Sequence, residues 1–483
     1  LRTVAVVGCG LSGALFALKL HRAAPADTRV LAIEAGRRFG RGVAYGACSP
    51  GHLLNVPVSR MEVGLTPRFG AWLQATARAA SAMAAALEES GGDLAAGFAP
   101  RVLFGDYLEE RLTEALVTGP GPGIAAVRGE AVGLLASPRR GLRLADGREI
   151  EADLVVLATG NLAPGRPGGP DAWLYDSPRF IADPWAPHAF ADVAPDEPLL
   201  LLGTGLTMVD IALKLAADGH TGPMLATSRR GLTPAAHLAG GAWPSFLERA
   251  LPASPRALTR LVRGQVAEAA AAGVPWQRVF DAARPAVPAV WQSWTLAQKR
   301  QFLRHLRPRW DVHRHRMAPR IAAALEALRA SGQLEIMAGR VRAYRPIGYG
   351  SGRIEATLAT RAGGSRSYTA GWVINCTGPR RNLAGLGNPL IADLRARGLM
   401  QPDALGLGLE TQDGALIDSA GRPSDWLFAI GPLTCPTWWE IVAVPEIAVQ
   451  VDALVAALTD PDFGHSSRQR LTSEEFLDLG AGI

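Results

Sequence analysis

Short apolar runs that end in glycine and lead into a helical pattern recur along the chain. Thr3 to Val7 is the first: an unbroken apolar run of this length reads as a strand buried on both faces of a parallel sheet. Gly8, Gly10 and Gly13 follow it, and a helix is expected to begin near Leu11, with Ser12 in its first turn. The next apolar strand, Arg29 to Ile33, ends at the acid Glu34. Helical patterns then run from Arg68 to Glu89 and from Gly105 to Leu116. Short strands follow over Ala125 to Leu135, Gly141 to Leu144 and Glu149 to Ile150, and a last run, Ala152 to Leu157, leads into Ala158, Thr159 and Gly160. Gly160 to Pro198 is rich in proline and glycine and reads as a linker. Leu199 to Leu202 repeats the opening pattern, with Gly203, Gly205 and a helix from Thr207 to Asp218. The strand after it, Pro223 to Thr227, ends in Ser228, Arg229, Arg230 and Gly231. Ala236 to Leu328 is mostly helical. A strand-rich stretch, Leu334 to Val373, leads into Asn375, Cys376, Thr377, Gly378 and Pro379, a second analogue of the Ala158–Gly160 ending. Trp426 to Ile430 is one more apolar strand, followed by Gly431 and Pro432. Ile447 to Leu458 closes as a helix, and the tail after Asp460 is expected to be mobile.

The two glycine-ended strand–helix units carry specific chemistry. Gly8 permits a tight turn, Gly10 lets a pyrophosphate approach the backbone, and Gly13 lets the helix pack closely on the strand. Phosphates would sit at the helix N-terminus, where free N–H groups and the helix dipole favour negative charge. Glu34, about twenty residues beyond the glycines, is placed to accept from a ribose hydroxyl. In the second unit Met208 stands where the third glycine is expected, so helix and strand should be slightly further apart. Where an NAD site places an acid, this unit offers the hydroxyl of Ser228 and the guanidiniums of Arg229 and Arg230, which match a 2′-phosphate and favour NADPH over NADH. The expected fold class is therefore α/β, with two Rossmann-type dinucleotide-binding domains and a helical insertion. The first domain is discontinuous, residues 1–165 and 375–483; the second spans 196–374 and includes the insertion at about 236–330. Between the units, the glycines flanking Arg41 and the stretch His52 to Pro57, with Asn55 inside it, suit loops lying against a planar ligand and a phosphate.

Composition alters this picture little. The 483 residues, 48% hydrophobic and 19% charged, are those of an ordinary globular protein of more than one domain. Of the 50 basic residues only Lys19, Lys214 and Lys299 are lysines. The arginine bias, with heavy Ala and Gly use, looks like GC-rich coding, so arginine clusters are poor evidence of nucleic-acid binding, and no nucleic-acid partner is expected. No run of eighteen apolar residues exists and the first apolar segment is the nucleotide-binding strand, which leads to the expectation of a cytoplasmic protein with no membrane partner. Cys9, Cys48, Cys376 and Cys435 are far apart, offering neither a redox dithiol nor zinc or iron–sulfur spacing. In the helical stretch Asp311 and His315 stand at i and i+4 on one face, an arrangement that suits an acid/base pair and equally a structural ion pair. His313 and His315 point to different faces with no third ligand evident, so no metal site is expected.

Two glycine loops about 195 residues apart, followed by strands ending in ATG and CTGP, resemble the flavoprotein pyridine-nucleotide enzymes with two Rossmann-type domains. The runs GRGVAY, HLLNVP, GTGLTMVD, SRRGLTP, WDVHRHRMAP and the late WE-xxAVPE are similar to FAD/NAD(P)-binding proteins whose relatives include flavin-dependent N-hydroxylating monooxygenases of the nitrosuccinate-forming type. That resemblance implies FAD at Gly8, Gly10, Gly13 and Glu34, with Arg41, His52 and Asn55 near the flavin's phosphate and ring. It implies NADPH at Gly203, Gly205, Thr207, Arg229 and Arg230, and a late Gly431 turn that returns to the flavin. Two departures stand out. Pro432 replaces the acid that many flavoenzymes place after that glycine, and Phe180 to His188 does not keep the spacing of the Baeyer–Villiger signature. The implied activity is oxygenation, with NADPH and O₂, of the nitrogen of a small amine or amino acid. An anionic substrate would call for a guanidinium clamp, with Arg60, Arg314 and Arg316 as candidates by sequence neighbourhood. The catalytic residues are left open because the flavin carries the chemistry; Asn55, Asp311 and His315 are the side chains to examine. An oxidoreductase passing electrons to a quinone or protein carrier, and a non-catalytic cofactor-binding protein, fit the same motifs. An oligomer is compatible with the sequence.

Overall fold

The computed structural model describes residues 2–117, 121–168, 171–247, 251–348, 352–361 and 363–460. The tail beyond Asp460 lies outside them. Seventeen strands follow in chain order among the described residues: β1 (Thr3–Val7), β2 (Arg29–Glu34), β3 (Gly123–Arg128), β4 (Ala131–Leu134), β5 (Gly141–Leu144), β6 (Glu149–Glu151), β7 (Leu154–Leu157), β8 (Phe180–Ile181), β9 (Leu199–Leu202), β10 (Met224–Ser228), β11 (Leu334–Ile347), β12 (Arg353–Thr360), β13 (Ser365–Ala370), β14 (Trp372–Asn375), β15 (Thr411–Gln412), β16 (Ala415–Ile417) and β17 (Pro423–Ala429).

The apolar runs pair as their burial requires. One seven-stranded sheet has the order β15-β16-β17-β7-β1-β2-β3. Its strands from β17 to β3 are parallel, and Val4 of β1 lies between Val30 and Leu154. The chain lays β2 and β3 on one side of β1 and then returns with β7 and β17 on the other. That reversal opens a crevice at the C-terminal end of β1. The second sheet, β13-β12-β11-β10-β9-β14-β8, repeats the plan around β9, with β10 and β11 on one side and β14 on the other. β11 is long enough to pair in parallel with β10 and then, further along, antiparallel with β12. A three-stranded antiparallel sheet, β4-β5-β6, completes the strands.

Several boundaries differ from the sequence reading. The helical pattern from Arg68 to Glu89 is two helices, Phe69–Ala75 and Ala77–Glu89, because Thr76 is extended and its hydroxyl donates to the Trp72 carbonyl. The second helix starts at Arg101 behind Pro100, earlier than Gly105. The strand Ala125 to Leu135 is broken between β3 and β4. Within the stretch read as a linker, Phe180–Ile181 adds an edge strand against β14.

The insertion between β10 and β11 folds as the helices Pro255–Ala271, Trp276–Ala283, Val287–Ser293, Leu296–His305, Arg307–Arg314 and Pro319–Ala330. It leaves the chain from the second sheet, yet its apolar face joins the core of the first. Trp291, Trp294, Phe302 and Trp310 pack into one buried cluster with Val4, Leu15, Phe104, Trp439 and Leu454. Trp291 stacks on Trp439 at 4.6 Å between ring centroids, an anchor contributed equally by the insertion and by the segment after β17. The insertion thus packs its aromatic face onto the core of the first sheet.

Candidate functional site

The first glycine loop is built as the sequence demands. Gly8 has φ +90° and a Cβ there would lie 2.6 Å from the Ala158 carbonyl oxygen and 3.0 Å from Thr159 Cα, so the loop runs directly against the strand ending at Gly160. A Cβ on Gly13 would lie 1.9 Å from the Gly8 carbonyl oxygen, which leaves no substitute for glycine where helix Leu11–Ala23 meets β1. Gly10 faces Gly42, whose Cα is 3.1 Å from where its Cβ would be. The two glycines form a notch free of side chains beside a helix N-terminus that no side chain caps. Gly431 closes the other flank: with φ +75°, its Cβ would stand 2.6 Å from Ser12 Oγ, so the turn after β17 does return to the loop. The Glu34 carboxylate sits at the loop's edge, accepting from Cys9 N at 2.8 Å and Gly36 N at 2.7 Å.

The second loop repeats the turn with different surroundings. Gly203 has φ +117° and a Cβ would lie 2.4 Å from the Cys376 carbonyl oxygen, which brings the loop against the strand end that leads to Gly378. Gly205 precedes helix Leu206–Ala217, again uncapped by a side chain, and nothing stands within 4 Å of its missing Cβ. Thr207 is half-buried in the first turn. Met208 is fully buried and fills the space that Gly13 keeps empty in the first unit. Ser228 is already engaged: its hydroxyl meets Thr204 Oγ1 at 2.8 Å and accepts from Gly231 N at 3.0 Å. Arg230 donates to the carbonyls of His305 and Arg304, at the end of helix Leu296–His305. Arg229 is exposed and has no ion-pair partner among the described residues. Of the three side chains expected at a 2′-phosphate, it alone is uncommitted.

Several of the other side chains expected at the site are already engaged within the chain. Arg41 is buried with its guanidinium turned away from the notch, paired with Asp106 and, at 2.8 Å, with Glu109. His52 is buried: Ser49 N–H donates to its Nδ1, so Nε2 carries the proton and donates to the Asp210 carbonyl at 3.0 Å. Burial holds this imidazole below its ordinary pKa. At Asn55 it is the main-chain carbonyl that is engaged, accepting from His237 Nε2 at 2.8 Å. Asp311 and His315 do not pair. Helix Arg307–Arg314 stops before His315, and the Asp311 carboxylate turns back to Arg307 Nε at 3.2 Å. The ring of His315 is pushed down to about 4 by burial, with the charges of Arg314 and Arg381 adding to it. It is a neutral imidazole near neutral pH.

The arginines proposed as a clamp are also spoken for. Arg314 is 6% exposed and donates to Glu440 Oε2 and Glu446 Oε1, each at 2.8 Å. Arg284 completes the cluster on Glu446, at 2.5 and 2.6 Å. Burial works against ionising Glu446, but the two guanidiniums outweigh it and hold its pKa at about 2. Glu440 accepts from Trp310 Nε1 and carries φ +72°, a conformation this buried network holds in place. Arg316 is committed to Asp281, and Arg60 lies 3.7 Å from the same carboxylate.

Sequence reasoning missed Arg381. This half-buried guanidinium donates to Cys435 Sγ at 3.0 Å and lies over the Trp439 ring at 5.6 Å, with no carboxylate partner among the described residues. It follows the Gly378 turn in sequence, reaches Cys435 just past Gly431, and its charge acts on His315. In a chain with this many arginines nothing in the sequence marked it. Among the described residues no group of three or more His, Cys, Asp or Glu is arranged to hold a metal, and no helix is long and apolar enough to cross a membrane.

Residues 5–162 match the model of an FAD-NAD(P)-binding family. No curated protein matches the chain in sequence. Among solved structures, the chain is similar to the ornithine N-hydroxylase of Kutzneria sp. 744, in a complex with reduced FAD, NADP⁺ and L-ornithine, at a TM-score of 0.60 and 15% identity over 95% of this chain and 98% of that one. It is similar to the FAD-bound cadaverine monooxygenase of Erwinia amylovora (0.62, 11%, 98% and 97%) and to the ornithine hydroxylase of Pseudomonas aeruginosa (0.58, 16%, 95% and 98%). The chain has the fold of these two-dinucleotide-domain flavoproteins along nearly its whole length.

Proposed function

We propose that the chain binds FAD at the first glycine loop and NADPH at the second, and is a monooxygenase that uses O₂ to hydroxylate the nitrogen of a small amine or amino acid. The observation that carries this reading is the pair of side-chain-free glycine loops at uncapped helix N-termini, each at the reversal point of its own sheet. The fit is good at both. The Gly10–Gly42 notch would take a pyrophosphate, with Glu34 exchanging its backbone hydrogen bonds for a ribose hydroxyl. Arg229 would take the 2′-phosphate. The discontinuous 1–165 and 375–483 portion would be the FAD domain, and 196–374 the NADPH domain. Thr159, Gly160, Gly378 and Gly431 would border the flavin from the strand ends around it.

Reduced by NADPH, a flavin supplies the oxygenating chemistry with O₂. The protein's own groups bind, orient and keep water out. Trp439, stacked on Trp291 of the insertion, lies against the Arg381 guanidinium and gives it an apolar neighbour. Arg381 is the group suited to a substrate carboxylate, since its charge is not neutralised by the fold. The neutral His315, whose ring feels the Arg381 charge, can accept a hydrogen bond from a substrate amine without adding positive charge. The scattered free cysteines offer no dithiol for an alternative route of electrons.

The test is anaerobic reduction of the flavin-loaded protein by NADPH and by NADH, followed by oxygenated turnover with ornithine, lysine, aspartate, putrescine and cadaverine. Hydroxylamine formed in step with NADPH and O₂ consumption supports the proposal. Stoichiometric peroxide with every candidate amine would replace it with a simple oxidoreductase, and a purified protein that takes up no flavin would remove catalysis altogether.

A further inference from the structure

The stretch His52–Asn55 belongs to the first unit by sequence, yet both of its ends are held by the second. At one end His52 Nε2 donates to the Asp210 carbonyl at 3.0 Å. The Asp210 carboxylate meanwhile receives Arg101 Nη1 at 2.9 Å, and that same guanidinium donates from Nη2 to the Leu53 carbonyl at 3.0 Å. Asp210 thus touches the stretch twice, once directly and once through Arg101. At the other end His237 Nε2 donates to the Asn55 carbonyl at 2.8 Å. Between these points the stretch rests on its own unit, through Leu54 N to Ala99 O and Arg101 N to His52 O. Asp210 is 8% exposed, so its contacts are shielded from competing water.

The two holding residues are not scattered over the second unit. Asp210 lies on helix Leu206–Ala217, whose uncapped N-terminus follows Gly205. His237 lies on the segment that leaves Ser228, Arg229 and Arg230, and its own N–H is fixed to Met317 O at 2.9 Å. Each element proposed to hold one part of the dinucleotide, pyrophosphate or 2′-phosphate, therefore also holds one end of His52–Asn55. We propose that Asp210 and His237 are positioning residues through which NADPH bound in the second unit fixes the His52–Asn55 stretch of the first. The inference rests on the cofactor assignment above. A ligand that orders two elements favours whatever both of them hold, and by reciprocity the ordered stretch favours the ligand.

The experiment is amide hydrogen exchange across residues 49–57 of the flavin-loaded full chain, with and without saturating NADP⁺, alongside calorimetric NADP⁺ affinity. In the wild type NADP⁺ is expected to slow exchange in this segment about fivefold or more. In the triple variant His52→Ala, Asp210→Ala, His237→Ala, which also removes the donor to the main-chain Asp210 carbonyl, the slowing should fall below about twofold while NADP⁺ still binds. Asp210→Asn, unlike Asp210→Ala, keeps a side-chain oxygen for Arg101; it should retain most of the effect and covers the case in which alanine unfolds the interface. A residue that merely stabilised the fold would change exchange equally with and without NADP⁺. NADP⁺ that binds the wild type without slowing exchange, or slowing that persists in the triple variant, overturns this inference alone. Failure of NADP⁺ to bind at all falls on the cofactor assignment and takes the inference with it.

Discussion

The two dinucleotide units solve one steric problem in two ways. In the first, helix and strand meet at Gly13, where even a methyl group would lie 1.9 Å from a carbonyl oxygen. In the second, a fully buried Met208 occupies the equivalent place, so contact is made by side-chain packing rather than by backbone approach. The chemistry at the strand ends diverges in step. Glu34 offers acceptors at the end of β2, whereas the end of β10 offers the exposed Arg229. One turn can serve two ligands because the glycine that shapes the turn and the residue that reads the ribose are separate.

Exchanging features between the units tests this most sharply. Gly13→Met, which copies the second unit into the first, should cost about 4 kcal/mol or more and yield protein without bound flavin; a yellow, stable variant would show that close approach is dispensable there. The reverse exchange, Met208→Gly, should cost roughly 3–5 kcal/mol from the cavity and the helical glycine, read from denaturant midpoints, while flavin content stays unchanged. Arg229→Ala should raise the NADPH KM about 10–100-fold, equivalent to losing one charged contact, and leave that for NADH nearly constant. Arg230→Ala should do less, since that guanidinium is held by helix-end carbonyls; equal effects on both coenzymes would remove the 2′-phosphate assignment.

A further expected effect concerns the join between the units. Burial, with Arg316 adding to it, pushes His237 down to about 4 from an ordinary 6.5. Its folded value is depressed, so its contribution is fully present above pH 6.5 and is lost as pH falls towards 4, roughly 2–3 kcal/mol in all. Stability measured against pH should fall over that window, and His237→Gln should flatten the fall. The Glu446 cluster, also depressed, should weaken only below pH 4.5. An unchanged slope in the His237 variant would mean that other groups govern the acid limb.

What the sequence made legible was local. β1, its three glycines, the following helix and Glu34 are specified within 34 residues, and each has the expected place. The candidate side chains were less legible because their partners are remote. Arg314 looks free in WDVHRHRMAP, but Glu440 and Glu446 lie 126 and 132 residues further on. Asp311 and His315 have helical spacing, yet the helix ends between them and Arg307, one turn back, takes the carboxylate. Arg41 sits between two glycines as a phosphate ligand would, but Asp106 and Glu109 claim it from another helix. Periodicity reports which way a side chain faces, not what waits on that side.

The pairing of β7 has a consequence for synthesis. One edge of β7 meets β1 and the other meets β17, which begins only at Pro423. A ribosome working at about 5–20 residues per second needs of the order of 10–50 s to travel from one to the other. Throughout that interval the nascent first sheet carries an open, wholly apolar edge, LVVL, while the second sheet and its insertion are being made. The edge of β7 is therefore sealed only when Pro423–Ala429 arrives, and the cell must shield it until then.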